Sequence, residues 1–477
     1  MRFKLKKIDA LIIVALIVIA AFVLLRVDAP DILKKEPAEI NLVKDDANKK
    51  LIVESVSDEV KWSEIEILGD CSRSYLGKFV KEGDEITDCK GTITLRYVAG
   101  DLIGTWTFEV ERKPPESLIA SHLRSVSPDD EGAHFKGSLR ITREWWQYTV
   151  EFDKESELPG WTATISFNHM AYGDLLGTVK PDVLVVTLHS PDGQEYGGLI
   201  NKKRGLGLFI KPTLDANSPG VDVTYEDSWA QGIAPNWDVH AEDNDIDSAH
   251  EIIIDLSYFA PGSPLWLHSN RAIDKGEGVI SEYIFLGCEV NGTVELDGNL
   301  YHVKGIGHHE HSWSNSLMKL FIKGWDWCHV TLDNGWNIYY SNYYLTKQIT
   351  PTKTMEFNPF SSFIITTNNG VTLTLLDEVD VEIKKSDSIF LLLKMPIQLN
   401  ISAETRILSQ ILLKTYDVRI NMNLLSDNAY DKIWKIPTYV GMKIGRSTVS
   451  GKLTWNDEDG PQSVDINGIG TSWCMRH

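Results

Sequence analysis

The stretch REWWQYTVEF, residues 143–152, has the alternation of a β-strand and decides how the sequence is interpreted. Successive side chains of a strand point to opposite faces of its sheet. Six residues divide between the two faces: Glu144, Trp146 and Tyr148 on one, and Arg143, Trp145 and Gln147 on the other. Aromatic neighbours disfavour a charged carboxylate, which predicts a raised pKa for Glu144 and suits a proton donor. The other interpretation is an ion pair of Glu144 with Arg143 or another cation, with the tryptophans in an ordinary core.

A second aromatic and acidic stretch, GIGHHEHSW at residues 305–313, also has strand alternation and is followed by GWDW at 324–327. His309, His311 and Trp313 share one face of this strand, whereas His308, Glu310 and Ser312 share the other. Three interpretations stay open. Glu310 is an acid or base with His311 as its orienting partner; or the histidines hydrogen-bond structurally in a barrel wall; or His309 and His311 bind a divalent metal with a third ligand such as His329 or His302.

Strand patterns continue to the C-terminus, and the residues 325–332 and 336–344 around the turn Asp333-Asn334-Gly335 predict a hairpin. An antiparallel protein of this length must close or stack its sheets to remove exposed edges. The sequence therefore predicts an all-β fold, with one antiparallel barrel over 132–285 and another over 286–477.

The N-terminal part divides into four segments. Residues 1–26 combine a basic flank with an unbroken apolar run from Ala10 to Leu25, which predicts a membrane anchor or a signal with the bulk of the chain outside the cytoplasm. Residues 27–50 are charged and predict a stalk. Short strands over 51–112 predict a small β-sandwich, which a disulfide between Cys71 and Cys89 would hold closed. Residues 113–131 have the composition of a linker.

The composition excludes some classes of function. With 47 basic and 67 acidic residues, the net charge of −20 repels nucleic acid, so no nucleic-acid partner is expected. The sequence has no phosphate-binding loop, nucleophile elbow or dinucleotide fingerprint, and no cofactor is expected.

At these motifs the sequence resembles the lipocalin-like family of carotenoid hydratase (hydroxyneurosporene synthase, CrtC) and the AttH proteins; kievitone hydratase and certain fungal pericyclases are more distant relatives. The matching residues are 144–146, 305–313, 324–327, 333–335 and the closing stretch 467–473. The resemblance implies two joined lipocalin-like barrels over 132–477, with the two aromatic stretches as corresponding strands of the two barrels. It also implies that Glu310, in place of the family's Asp, is the acid that protonates an isoprenoid double bond. Gln147 stands where the family has Tyr or His.

The sequence thus predicts a membrane-anchored extracytoplasmic protein that binds a hydrophobic, isoprenoid or lipid-like ligand. Glu310 and His311 are the predicted catalytic residues of cofactor-free acid–base chemistry. The predicted ligand-binding residues are Glu144, Trp146, Tyr148, Trp313, Trp325 and Trp327. A non-catalytic envelope binding protein with the same cavity is the alternative, and a His-ligated metal enzyme is a third.

Overall fold

The computed structural model describes most of the chain from residue 37 to residue 476. The segments outside the described residues are 1–36, 74–75, 109–111, 117–122, 137–140, 171–181, 201–212, 244–249, 268–279, 316–321, 351–352, 358–360, 368–371, 377, 390–392, 409–414, 436–438, 458–459 and 477. The predicted membrane anchor, residues 1–26, lies outside the described residues. Among the residues that are described, no helix has the length and apolar character needed to cross a membrane.

The chain divides into two compact units, residues 1–112 and 113–477. The first contains a five-stranded antiparallel sheet, with a 3₁₀ turn over Trp62–Glu64. Its strands are β1 (Ile40–Asp45), β2 (Lys50–Val56), β3 (Ile65–Ser72), β4 (Glu85–Tyr97) and β5 (Leu102–Phe108).

This unit differs from the sequence prediction in one respect. Strand β1 lies within the segment 27–50, for which the sequence predicts a stalk, and it pairs with β2 along its whole length. Strand β4 connects the unit, because it pairs with β2, β3 and β5. The long β4 supplies buried Ile86, Ile93 and Leu95 to the core of this unit.

Cys71 and Cys89 are free thiols in the structure, which differs from the predicted disulfide. Asp70 pairs with Lys90 and Ser72 pairs with Thr87, so Cys71 lies at an irregularity in the register. Its Sγ is 4.0 Å from the carbonyl oxygen of Gly69. Cys89 is buried, and burial raises the pKa of its thiol to about 11, so the thiol is protonated at neutral pH.

The second unit begins with a short helix and continues as two large curled antiparallel sheets. The helix α1 (Pro128–Glu131) is capped by Ser127 in a capping box. The first sheet has twelve strands: β6 (Ile141–Phe152), β7 (Thr162–Met170), β8 (Val183–His189), β9 (Glu195–Ile200), β10 (Leu214–Ala216), β11 (Val221–Tyr225), β12 (Ser228–Ile233), β13 (Asn236–Asp243), β14 (Ile252–Phe259), β15 (Leu265–Trp266), β16 (Ile280–Leu296) and β17 (Asn299–Asn315).

The second sheet has ten strands and ends with the chain. They are β18 (Ile322–Leu332), β19 (Asn337–Thr350), β20 (Lys353–Phe357), β21 (Ser362–Thr367), β22 (Thr372–Leu376), β23 (Glu378–Ile389), β24 (Leu393–Leu408), β25 (Thr415–Lys435), β26 (Tyr439–Asp457) and β27 (Gly460–Arg476). The predicted hairpin is confirmed, because β18 pairs with β19 around Gly335, whose φ is 82°.

The all-β class is thus confirmed, but the predicted boundaries within 132–477 are shifted. Strand β16 crosses the predicted boundary at 285–286, and β17 also belongs to the first sheet. The change from one sheet to the other therefore lies between Asn315 and Ile322. The end of the predicted linker is also part of the folded core, since Glu131 is fully buried and accepts a hydrogen bond from Trp237 Nε1.

Among the described residues of this unit, the three largest apolar clusters lie one inside each curled sheet and one between the sheets. Strand β8 shows why. Its residues Leu184, Val186 and Leu188 pack inside the first sheet, whereas Val183 and Val185 pack in the layer between the sheets. A strand with both faces covered has no solvent-exposed face, so all seven residues of β8 are buried. Residues on β6 and β17 face the same two environments.

Candidate functional site

The two aromatic stretches are hydrogen-bonded neighbours in one sheet. Strand β17 pairs with β6 so that His311 lies opposite Trp146, Trp313 opposite Glu144, and Glu310 opposite Gln147. The expectation that they are corresponding strands of two barrels was wrong, because pairing between distant segments is not encoded in the alternation of either one. Each face of this strand pair therefore combines residues from both stretches.

Glycine allows the close approach of the two strands just before the histidines. A Cβ placed on Gly307 would lie 2.1 Å from the carbonyl oxygen of Thr149 on β6 and 3.0 Å from the ring of Tyr258. A side chain here would push β17 away from β6. The glycines of the motif thus fix the geometry that places Glu310 and His311.

The inner face of the strand pair is built around Glu144, which is fully buried. Its carboxylate accepts hydrogen bonds from the backbone N–H groups of His134 and Phe135 at 2.9–3.0 Å. The ring nitrogens His134 Nδ1 and His311 Nε2 lie 2.9 and 3.0 Å from Oε1. Burial raises the pKa of Glu144, but the charges and hydrogen bonds of His134 and His311 outweigh it and bring the pKa to about 2. Glu144 is therefore ionised, and the expected raised pKa was wrong.

His311 is a partner of Glu144, not of Glu310. Its Nε2 faces Glu144 Oε1, and its Nδ1 lies 3.0 Å from the carbonyl oxygen of Asp130. The ring is thus hydrogen-bonded through both nitrogens. Burial lowers the pKa of His311, and the hydrogen bond and charge of the facing Glu144 carboxylate offset that shift only in part.

The structure does not bring the histidines of the predicted metal site together as one set of ligands. His309 Nδ1 lies 3.2 Å from the carbonyl oxygen of Gln147. Among the described residues, the group whose ligand atoms lie within 4.8 Å of one another is His134, Glu144 and His311. The same atoms already contact each other through hydrogen bonds, so the group is satisfied as it stands.

Four of the predicted ligand-binding residues, Glu144, Trp146, Tyr148 and Trp313, lie on this inner face, in packed surroundings. Trp146 stacks on His311 with ring centroids 4.7 Å apart, and Trp313 stacks on His134 at 3.9 Å. Tyr148 stacks on His309 at 4.4 Å. Trp146, Tyr148 and Trp313 belong to the core inside the first sheet.

The outer face of the same strands lines a pocket between the two sheets. The pocket holds about 640 Å³ of space, including the part open to solvent. Of the predicted site residues, Glu310, Trp325 and Trp327 line it. The described residues that line the pocket are Arg143, Trp145, Gln147, Asn168, Val183, Leu199, Glu310, Trp325, Asp326, Trp327, Ser341, Tyr343, Met442 and Trp473.

Glu310 lies at the pocket wall with 3% of its surface exposed, and three ring donors hold its carboxylate. Trp145 Nε1 donates to Oε1 at 2.6 Å, and Trp327 Nε1 donates to Oε2 at 3.0 Å. The Tyr339 hydroxyl lies 3.2 Å from Oε2 and 3.1 Å from Oε1 of buried Glu282. The carboxylate is thus fixed by rigid aromatic side chains from three strands.

His308, two residues before Glu310, is the histidine on the same face. Its Nε2 lies 3.5 Å from Glu310 Oε2, and its Nδ1 lies 2.9 Å from the Thr149 hydroxyl. Burial lowers the pKa of His308 to about 3, so its ring is neutral at neutral pH. A neutral ring adds no second charge beside Glu310.

Sequence reasoning missed Trp145, Tyr339 and Arg143 as members of this site. Trp145 and Arg143 were placed on the correct face of β6 by alternation, but that face was not recognised as the pocket face. Tyr339 is on β19, within the predicted hairpin, and only the packing of the second sheet on the first brings it to Glu310. The usable signal was strand parity, since Trp145, Gln147 and Glu310 share the outer face.

No protein-family model matches this sequence, and no curated protein matches it either. Solved structures do resemble it at low sequence identity. Kievitone hydratase from Nectria haematococca is 12% identical with a TM-score of 0.48, over 76% of this chain and 97% of that chain. An AttH-like protein from Nitrosomonas europaea is 15% identical with a TM-score of 0.45, over 74% and 97%. CghA with Sch210972 is 11% identical with a TM-score of 0.42, over 74% and 96%.

Proposed function

We propose that the protein binds a hydrophobic, isoprenoid or lipid-like ligand in the pocket between its two sheets. The support is the chemistry of the lining: Trp325, Trp327, Trp473, Tyr343 and Met442 supply apolar surface around a few polar groups. Ligand sites of this kind are concave and mostly apolar, with polar groups that fix the orientation of the ligand. The apolar layer between the sheets thus surrounds the pocket and leaves a space in which a ligand can bind.

We propose further that Glu310 exchanges a proton with a carbon–carbon double bond of that ligand. The observation that carries this proposal is a carboxylate at the pocket wall, held by Trp145, Trp327 and Tyr339. A catalytic acid or base must be kept in one position, and hydrogen bonds from rigid rings do this. The ring faces of Trp325 and Trp327 suit a passing cation, because aromatic faces attract positive charge.

In the hydratase form of the reaction, the acid form of Glu310 gives its proton to one alkene carbon. The π electrons form the new C–H bond, and the other carbon becomes a tertiary cation. Water adds to that carbon through its oxygen, and the proton released from the added water returns to the Glu310 carboxylate. The net change is the addition of one water. In the isomerase form, the carboxylate removes an allylic proton and returns it to the far carbon.

Deuterium incorporation tests this chemistry even when the product has not been identified. The purified protein is incubated with a panel of isoprenoid polyenes in heavy water, and the recovered lipids are measured by mass spectrometry. We expect carbon-bound deuterium with the wild type and at least about a hundredfold less with Glu310→Gln. Glu289→Gln, on the exposed side of β16, is the matched control and should behave as the wild type. Equal incorporation by Glu310→Gln would remove the acid–base role.

A non-catalytic binding protein is the second candidate, because all three ring donors already engage Glu310 and such contacts also suit a purely structural carboxylate. The same experiment separates the two. Polyenes that bind with unchanged mass and no deuterium support a binding protein alone.

Residues 1–26 support a third part of the proposal, namely that the chain is anchored in a membrane with the two β units outside the cytoplasm. In native cells we expect the protein to stay in the membrane fraction after a carbonate wash. We also expect protease added outside the cell, after removal of the cell wall, to digest it. Full-length protein in the wash, or protection from the protease, contradicts this localisation.

A further inference from the structure

Arg143 is the one cationic side chain in the described lining of the pocket. It is buried, with 5% of its surface exposed. Its guanidinium carbon lies 5.3 Å from the ring centroid of Trp145 and 4.9 Å from that of Trp325. The charged group is therefore held between two indole faces at the pocket wall.

Within the part of the chain that the structure describes, no carboxylate neutralises Arg143, and its Nε has no hydrogen-bond partner. The two acids of the pocket are engaged elsewhere. Glu310 is held by its ring donors, and Asp326 pairs with Arg476 at 2.8 Å and accepts a hydrogen bond from the Tyr344 hydroxyl at 2.5 Å. A buried charge is costly unless it is paired, so this guanidinium needs an explanation.

Two other arginines among the described residues of this unit, buried Arg446 and partly buried Arg476, have polar partners. Arg446 donates from Nε to the carbonyl oxygen of Gly160 at 3.1 Å. Arg476 donates to Asp326 at 3.0 Å and to the carbonyl oxygen of Trp325 at 2.9 Å. Burial alone therefore does not leave an arginine without a polar partner in this protein. Arg143 differs from them in facing the pocket.

We infer that Arg143 binds a carboxylate group on the ligand, so the ligand is an amphipathic acid and not a neutral hydrocarbon or alcohol. This inference rests on the proposed ligand pocket. A guanidinium presents its N–H donors in one plane, and stacking on indole faces leaves that edge open for two parallel hydrogen bonds to a carboxylate. The apolar chain of the ligand then lies along Trp327, Trp473 and Met442.

A singly charged head suits this pocket better than a doubly charged one. Glu310 and Asp326 line the same space, and their carboxylates repel a head group more strongly when it carries two negative charges instead of one. A carboxylate is a monoanion at neutral pH, whereas a phosphate monoester is close to a dianion. The head group class we assign is therefore carboxylate.

Retinoic acid and retinol test this inference, because they share one isoprenoid skeleton and differ in the head group. Binding is followed by quenching of the emission of the pocket tryptophans. With the wild type we expect the acid to bind at least about tenfold more tightly than the alcohol. Arg143→Met should remove this preference by weakening the binding of the acid, and Arg143→Lys should retain part of it.

Arg419→Met is the matched control, since Arg419 lies on β25 with an exposed side chain paired to Glu404. It should retain the full preference for the acid. Equal affinities of the wild type for acid and alcohol overturn the inference and leave the ligand pocket standing, even if no Arg143 variant folds. Failure of both retinoids to bind counts against the pocket proposal itself.

Discussion

Glu144 and Glu310 lie on adjacent strands of one sheet, both nearly inaccessible, yet their surroundings differ. Glu144 faces the closed interior and is met by two backbone N–H groups and two imidazoles. Glu310 faces a pocket and is met by two indoles and a phenol. Neutral indole and phenol donors hold the Glu310 carboxylate, whereas backbone N–H groups and imidazoles hold that of Glu144, and the imidazoles keep its pKa low. One pair of strands thus separates a structural charge from a candidate chemical group simply by alternating its side chains.

The largest expected effect is on the inner face. Glu144→Gln removes the charge that His134 and His311 face, and it leaves buried donors without their acceptor. Each hydrogen bond lost to a charged group costs about 1.5–3 kcal/mol, and Glu144 accepts several, so we expect a loss of more than about 3 kcal/mol in the free energy of unfolding measured with urea. Glu310→Gln is the comparison and should lose far less. Similar losses of unfolding free energy in Glu144→Gln and Glu310→Gln would mean that the inner and outer faces of the strand pair do not hold their carboxylates differently.

A smaller effect is expected at Tyr339. Tyr339→Phe removes the hydroxyl shared by Glu310 and Glu282 but keeps the ring in the layer between the sheets. Loss of a hydrogen bond to a charged group costs about 1.5–3 kcal/mol, which a shift of the urea midpoint would report. Polyene deuteration should also fall, because Glu310 is less firmly held. Tyr340→Phe, on the opposite face of β19, is the control for deuteration and should leave it unchanged.

The last effect concerns the second carboxylate of β6, Glu151, and depends on pH. Burial raises the pKa of Glu151 to about 8, although the charge of Arg446 and a hydrogen bond from Thr331 oppose the shift. The native state therefore holds a proton between about pH 4.5 and pH 8 that the unfolded chain has released. Its contribution to stability is fully present below that window and is lost as pH rises through it.

Glu151→Gln should accordingly flatten the fall in the free energy of unfolding between about pH 5 and pH 9. Urea unfolding at several pH values measures the slope. Glu155→Gln is the control, since Glu155 is exposed and its hydrogen bond to Lys304 lowers its pKa. A slope unchanged in Glu151→Gln would mean that another group titrates in this range.

Alternation predicted which residues of each stretch share a face, and the structure agrees for Glu144 with Trp146 and for His308 with Glu310. It could not predict that β6 and β17 are neighbours, because pairing between segments so far apart in sequence depends on the whole sheet. The assignment of His311 as partner of Glu310 failed because it followed adjacency in sequence, whereas adjacent strand residues point apart. His134, from the segment before β6, carried no periodic signal at all.

The hydroxyl of Tyr339 has one hydrogen but lies within hydrogen-bonding distance of carboxylates on two strands, Glu310 on β17 and Glu282 on β16. It can donate to only one of them at a time, so the O–H bond has two alternative directions. Protonation of Glu310 would weaken it as an acceptor, and the phenol hydrogen would then turn toward Glu282. Rotation of a single bond would thus carry a change at the pocket wall to the neighbouring strand β16.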